Sequence, residues 1–104
     1  MFAAFRQKAA EGYYRRALVA QPGNPLASLG LAQIAYRSGR YDEARTWMKG
    51  VMLTTNPPPE ALRLGVCIER KLADRQAELS YVSQLRNRYP EAPETKGIVT
   101  DACE

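Results

Sequence analysis

Histidine is absent from this 104-residue chain, and cysteine occurs only twice, at Cys67 and Cys103. The lack of histidine removes the side chain that most often titrates near neutral pH and most often binds metals. Protein metal sites usually gather three or four His, Cys or carboxylate ligands at close spacing, and the sequence holds no such cluster. No apolar run approaches the ~20 residues needed to span a bilayer. A glycine-rich phosphate loop is also missing, since Gly30 and Gly65 fall inside helical patterns, where they allow close helix contact. The start, Met1-Phe2-Ala3-Ala4-Phe5-Arg6, shows neither an apolar h-region nor a small-residue cleavage site. Arg15-Arg16 lies too near Pro22 to act as a twin-arginine signal. These features fit a cytosolic chain, or one whose export segment lies ahead of residue 1.

Without histidine, a nucleophile, acid or base would have to come from Cys67, the carboxylates or the tyrosines. Asp42-Glu43 is a carboxylate pair, but it stands at a helix start, where acids favour the positive end of the helix dipole. Glu69-Arg70-Lys71 reads as a charged helix face. The expectation is therefore no catalytic residue, no metal, no cofactor and no enzymatic role. The cysteine spacing does not demand a disulfide and leaves the pairing open. Cys67 reads as a small buried hydrophobe and Cys103 as part of a loose tail.

What is present is charge, and it is uneven. The net charge is +4; residues 1–41 hold six Lys/Arg against one Glu, and residues 42–104 hold nine against ten acids. Arg6, Lys8, Arg15 and Arg16 punctuate an amphipathic helix, which reads as a solvated face rather than a phosphate-binding patch.

The chain also repeats. Gly39-Arg40-Tyr41-Asp42-Glu43-Ala44 reads as a turn and a helix start, followed by Met48, Val51 and Asn56-Pro57. Thirty-four residues earlier, Ala10 leads to Tyr14, Ala17 and Pro22; thirty-three later, Ala77 leads to Tyr81, Leu85 and Pro90. Small Ala10, Ala44 and Ala77 let helix axes approach, and the bulky residue four positions on lies on the same face. Proline then stops the helix. Leu31-Ala32 and Leu64-Gly65 repeat likewise, followed one turn later by Ala35 and Ile68. The pattern predicts helices over 3–20, 26–38, 41–54, 58–72, 74–88 and 92–100, with Gly39 closing the second. No segment alternates with the period of a strand.

With these residues the unit 24–57 resembles a tetratricopeptide repeat, through Leu31, Ala32, Gly39, Tyr41, Ala44, Met48 and Pro57. Ser28 stands where tryptophan is typical and Ala35 where tyrosine is. The unit 58–90 is similar through Leu64, Gly65, Ala77, Tyr81 and Pro90, with Leu72 where glycine is usual. Residues 2–22 look like the second helix of a further unit. The resemblance implies an all-α, right-handed solenoid of antiparallel helix hairpins: one domain over 1–95 of about two and a half repeats, with a tail over 96–104.

A narrower resemblance covers about 24–95. "Leu-Gly-x-x-Ile" at Leu64–Ile68, "Asp-Arg-x-Ala" at Asp74–Ala77, Ser80-Tyr81 and "Gln-Leu-x-x-x-Tyr-Pro" at Gln84–Pro90 occur in the order seen in the pilotins of type IV pilus biogenesis, the PilF/PilW family. That similarity implies an outer-membrane lipoprotein facing the periplasm that helps a secretin localise and assemble. The resemblance to the tetratricopeptide repeat implies a partner-binding concave face, lined by Leu29, Gln33, Tyr36 and Arg37 from one unit and Leu62, Val66, Glu69 and Arg70 from the next. Leu29, Leu62 and Val66 fit inter-helix core equally well; Tyr36, Arg37 and Arg70 are expected to be exposed. A carboxylate clamp of the chaperone-adaptor type does not fit, because Leu29, Gln33 and Pro59 hold its places and only Arg63 is basic. The expected partner is a protein, a secretin or pilus-assembly factor, and not nucleic acid. Because the first helix, with Tyr14, Ala17 and Leu18, lacks a cover on one side, the further expectation is either a piece of a longer protein or self-association through this helix. The competing readings are a generic cytosolic adaptor and a repeat segment of a larger regulator or enzyme.

Overall fold

The computed structural model describes residues 2–54, 56–99 and 103, and the side chains of all of these except 2–6 and 98–99. Six α-helices follow one another: α1 Phe2–Ala20, α2 Pro25–Arg37, α3 Tyr41–Val51, α4 Pro59–Lys71, α5 Arg75–Arg88 and α6 Pro93–Val99. The described residues contain no strand. The helices gather into two compact units, Met1–Thr55 and Asn56–Glu104. The division falls in the proline-rich connection that separates the two full repeats in the sequence.

In the first unit α2 packs against both α1 and α3. Flanked on two sides, α2 buries most of its length, including Leu29, Leu31, Ala32, Ile34 and Ala35, and α3 adds Ala44, Met48 and Val51. Each large apolar side chain so buried is worth about 1.5–3 kcal/mol before entropy is counted. Pro25 takes the first helical position of α2, and the Asn24 carboxamide oxygen accepts from the N–H groups of Leu26 and Ala27 at 3.0 and 3.3 Å. Helix α3 has no side-chain cap, but Asp42 and Glu43 fill its first turn. It ends at Val51, three residues earlier than the apolar spacing suggests. Leu53 and Thr54 donate to the carbonyls three residues back, tightening the last turn before the prolines.

In the second unit α4 packs on α5, and α6 touches both. Its core holds Ala61, Leu62, Val66, Cys67, Ile68, Val82 and Leu85. Asp74 caps α5 by accepting from the Ala77 N–H at 3.1 Å. The hairpin turns of the two units are built alike. Arg40 N–H donates to Ala35 O at 2.8 Å, and Asp74 N–H donates to Glu69 O at 3.0 Å, each five residues back. The residue that turns left-handed is Gly39 in one and Ala73 in the other, with φ 78° and 57°. The glycine-like position of the second repeat is thus Ala73, and Leu72 is the ordinary αR residue before it.

The C-terminal segment holds the sixth helix expected over 92–100 and adds a covalent tie. Residues 96–99 belong to α6, and Cys103 is disulfide-bonded to Cys67, with Cα atoms 5.5 Å apart. The pairing that the spacing left open is thus made, and the reading of Cys103 as part of a loose tail is corrected: it is bonded to a buried residue of α4. Residues 100–102 and 104 lie outside the described residues.

Candidate functional site

Positions 29, 33, 36 and 37 fall on one face of α2 because residues four and three apart stack along a helix. The structure divides them. Leu29 is 5% exposed and belongs to the core. Gln33 and Tyr36 are half-buried and Arg37 is exposed. The Tyr36 ring meets Tyr41 edge-on, with centroids 5.5 Å apart, so its expected exposure is only partial.

On α4 the outcome is more severe. Leu62 and Val66 are fully buried, and Glu69 is 3% exposed. Those three cannot offer a surface to a partner. Arg70, expected to be exposed, turns inward: its Nε donates to Glu78 Oε2 at 2.6 Å and its Nη1 lies 3.5 Å from Cys103 Sγ. The face of α4 thus serves its own unit. What is left of the expected surface is Gln33, Tyr36 and Arg37.

Each unit lays a tyrosine on a glycine, between α1 and α2 in the first and within the α4–α5 hairpin in the second. A Cβ added at Gly30 would fall on the Tyr14 ring, and one added at Gly65 would lie 2.6 Å from Tyr81 Cε1. The glycines inside helical patterns are therefore contact points, as the sequence suggested. Tyr14 is covered by this packing; the exposed apolar residues of α1 are instead Tyr13 (62%) and Val19 (85%).

A second surface of the first unit escaped the sequence reading. Arg15 Nη2 pairs with Glu11 Oε1 at 3.0 Å, Arg40 Nη2 approaches Glu11 Oε2 at 3.9 Å, and Arg40 Nη1 pairs with Glu43 Oε2 at 3.1 Å. The Arg15 guanidinium also sits 5.7 Å from the ring centre of Trp47. Among the described residues, Trp47 Nε1 is the buried side-chain polar atom that has no hydrogen-bond partner. Only the spacings Glu11–Arg15 and Arg40–Glu43 were visible in the sequence; nothing there placed α1 beside Trp47.

Among the described residues, no group of three or more His, Cys, Asp or Glu could hold a metal ion. No described helix is long and apolar enough to cross a membrane.

Comparison with known proteins gives a consistent outcome. Residues 6–52 match the tetratricopeptide repeat family. Over 72 residues, 68% of this chain, the sequence is 35% identical to cellulose synthase operon protein C of Pseudomonas fluorescens (strain SBW25), of which it spans 6%. Among solved structures, PilW, a widely conserved type IV pilus biogenesis factor, superposes with a TM-score of 0.81 at 28% identity over 93% of this chain. PilF of Pseudomonas aeruginosa superposes with a TM-score of 0.83 at 22% identity over 96%. The chain spans 44% and 45% of those two structures.

Proposed function

Because this chain is a tetratricopeptide-repeat protein that resembles PilW and PilF, we propose that it is a protein-binding scaffold of type IV pilus assembly, working on the periplasmic side of the outer membrane. The observation that carries the reading is the agreement with PilW over 93% of the chain at 28% identity. The Cys67–Cys103 disulfide supports the compartment, since such bonds persist where the surroundings are oxidising. The partner in this reading is a secretin or another pilus-assembly protein. It is met on the α2 face by Tyr36 and Arg37, residue types that often dominate contact energies. Binding of the purified chain to the secretin of the same organism, measured by calorimetry, tests this. Tyr36→Ala together with Arg37→Glu should weaken binding at least tenfold. An unchanged affinity would refute the assignment of this face, and no binding by the unaltered chain would refute the partner.

The match to cellulose synthase operon protein C favours a second reading, a repeat segment within a much longer protein. An antibody raised against this chain distinguishes the two by the size of the protein that it detects in cells.

A further inference from the structure

We propose that the side of the first unit where α1 meets Trp47 docks an acidic segment of a partner protein, anchored at Trp47 and Arg15. This inference rests on the scaffold reading above but uses a different surface from the Tyr36–Arg37 face.

Three observations converge on it. The first is charge: residues 1–55 carry eight Lys/Arg against three acids, whereas residues 56–104 carry seven against eight. The whole net charge of the protein therefore belongs to the first unit. Lys8, Arg16 and Lys49 are exposed there, so an acidic segment is drawn towards this unit and not the other.

The second is an unmet hydrogen bond. Trp47 Nε1 is buried without an acceptor, a state that native proteins rarely leave unexplained. A carboxylate is the acceptor that also satisfies the guanidinium beside it. Arg15 is the movable member, with its side chain 49% exposed, and a single cation–π contact holds it only weakly.

The third is residue type and layout. Trp and Arg, side by side and half-covered, are the types that anchor protein contacts. Val19, one turn beyond Arg15 on α1 and 85% exposed, extends the patch with apolar surface. Glu11 and Glu43 are interleaved with the arginines. A uniform polyanion such as nucleic acid would be repelled by those carboxylates, whereas a protein segment can place one carboxylate at Arg15 and apolar atoms beside it. The ion pairs alone do not account for the arrangement, because exposed pairs contribute little to stability.

The chain has one tryptophan, so its indole N–H gives a single resonance. The probe is a fluorescein-labelled amphipathic helical peptide with a glutamate face and a leucine face. Titration should move the indole resonance saturably, while the same peptide with Gln for Glu should bind at least tenfold more weakly. By anisotropy, Arg15→Glu and Trp47→Phe should each weaken binding about tenfold, with thermal stability unchanged for Trp47→Phe. Arg86→Glu in the second unit, and the Tyr36→Ala, Arg37→Glu pair, should leave it unaltered, which separates this inference from the preceding one. Equal binding of the two peptides, or a still indole resonance, would overturn it. So would binding of oligothymidylate or phosphatidylglycerol vesicles in place of the peptide, or an indole shift that follows the protein's own concentration, which would mark a second copy on this face.

Discussion

The two units share a repeat grammar and hold themselves together by different means. Each has a helical hairpin turned by a left-handed residue and a tyrosine ring seated on a glycine. The first unit then links α1 to α3 through exposed charge and one cation–π contact, Arg15 on Trp47. The second is nearly neutral and ties Cys103, four residues past the end of α6, to its first helix by a covalent bond with Cys67. It adds polar contacts: Tyr89 Oη donates to Pro57 O at 2.7 Å, and the Thr95 hydroxyl donates to Tyr89 O. The lesson is that the repeat fixes how helices meet, while each unit secures its own ends separately. One unit is held by exposed side-chain contacts; the other is closed by a covalent bond.

The sharpest way to break the contrast is to cut the covalent tie. The bridge joins residues 36 apart, and closing a loop of that size restricts the unfolded chain by about 4 kcal/mol. Cys103→Ser, or a thiol reductant, should cost the second unit about that much. Hydrogen exchange read by mass spectrometry should show α4 to α6 losing protection while α1 to α3 keep theirs; equal losses in both would contradict the separation drawn here.

The two tyrosine–glycine contacts come next, one between α1 and α2 and one within the α4–α5 hairpin. Gly65→Ala and Gly30→Ala each push a Cβ into a tyrosine ring. Overpacking of this kind costs about 1–3 kcal/mol, and the helix-propensity gain of about 1 kcal/mol offsets only part of it. Urea unfolding should show both variants destabilised. If one is neutral, the two contacts are not equivalent.

Tyr89→Phe removes the hydroxyl that reaches Pro57 O and should cost the second unit about 1 kcal/mol. A last pair of changes has opposite signs in the two turns. Ala73→Gly relieves a left-handed alanine and should stabilise by up to about 1 kcal/mol, while Gly39→Ala should destabilise by a similar amount. Thermal melts of the two variants moving in the same direction would show that the turns are not alike.

Much of this was legible before any coordinates. Helix boundaries followed from proline and glycine punctuation and from the spacing of Ala44, Met48 and Val51, because those effects are local. The repeat family and the close contacts at Gly30 and Gly65 were legible for the same reason. The surface was harder to read. Leu29, Leu62, Val66 and Glu69 keep the spacing of a groove-lining face, but the same spacing describes a buried face. Only the neighbouring helices decide which it is. The disulfide depends on a long-range approach that spacing does not encode. Ala73 gave no warning of its backbone, since alanine is a poor marker for a left-handed turn. The Arg15–Trp47 contact joins helices thirty-two positions apart, beyond any local rule.

The bond between α4 and Cys103 makes a ring of everything between them. The turn that enters α6 carries Glu91, whose side chain is 89% exposed, and such tips are where proteases cut. A single cleavage there would leave both pieces in one molecule, and the nicked chain would run as one band on a gel without reductant and as two with it. Clipping in that turn therefore need not shed the C-terminal segment, and intact mass under non-reducing conditions would rise only by the water taken up at the cut.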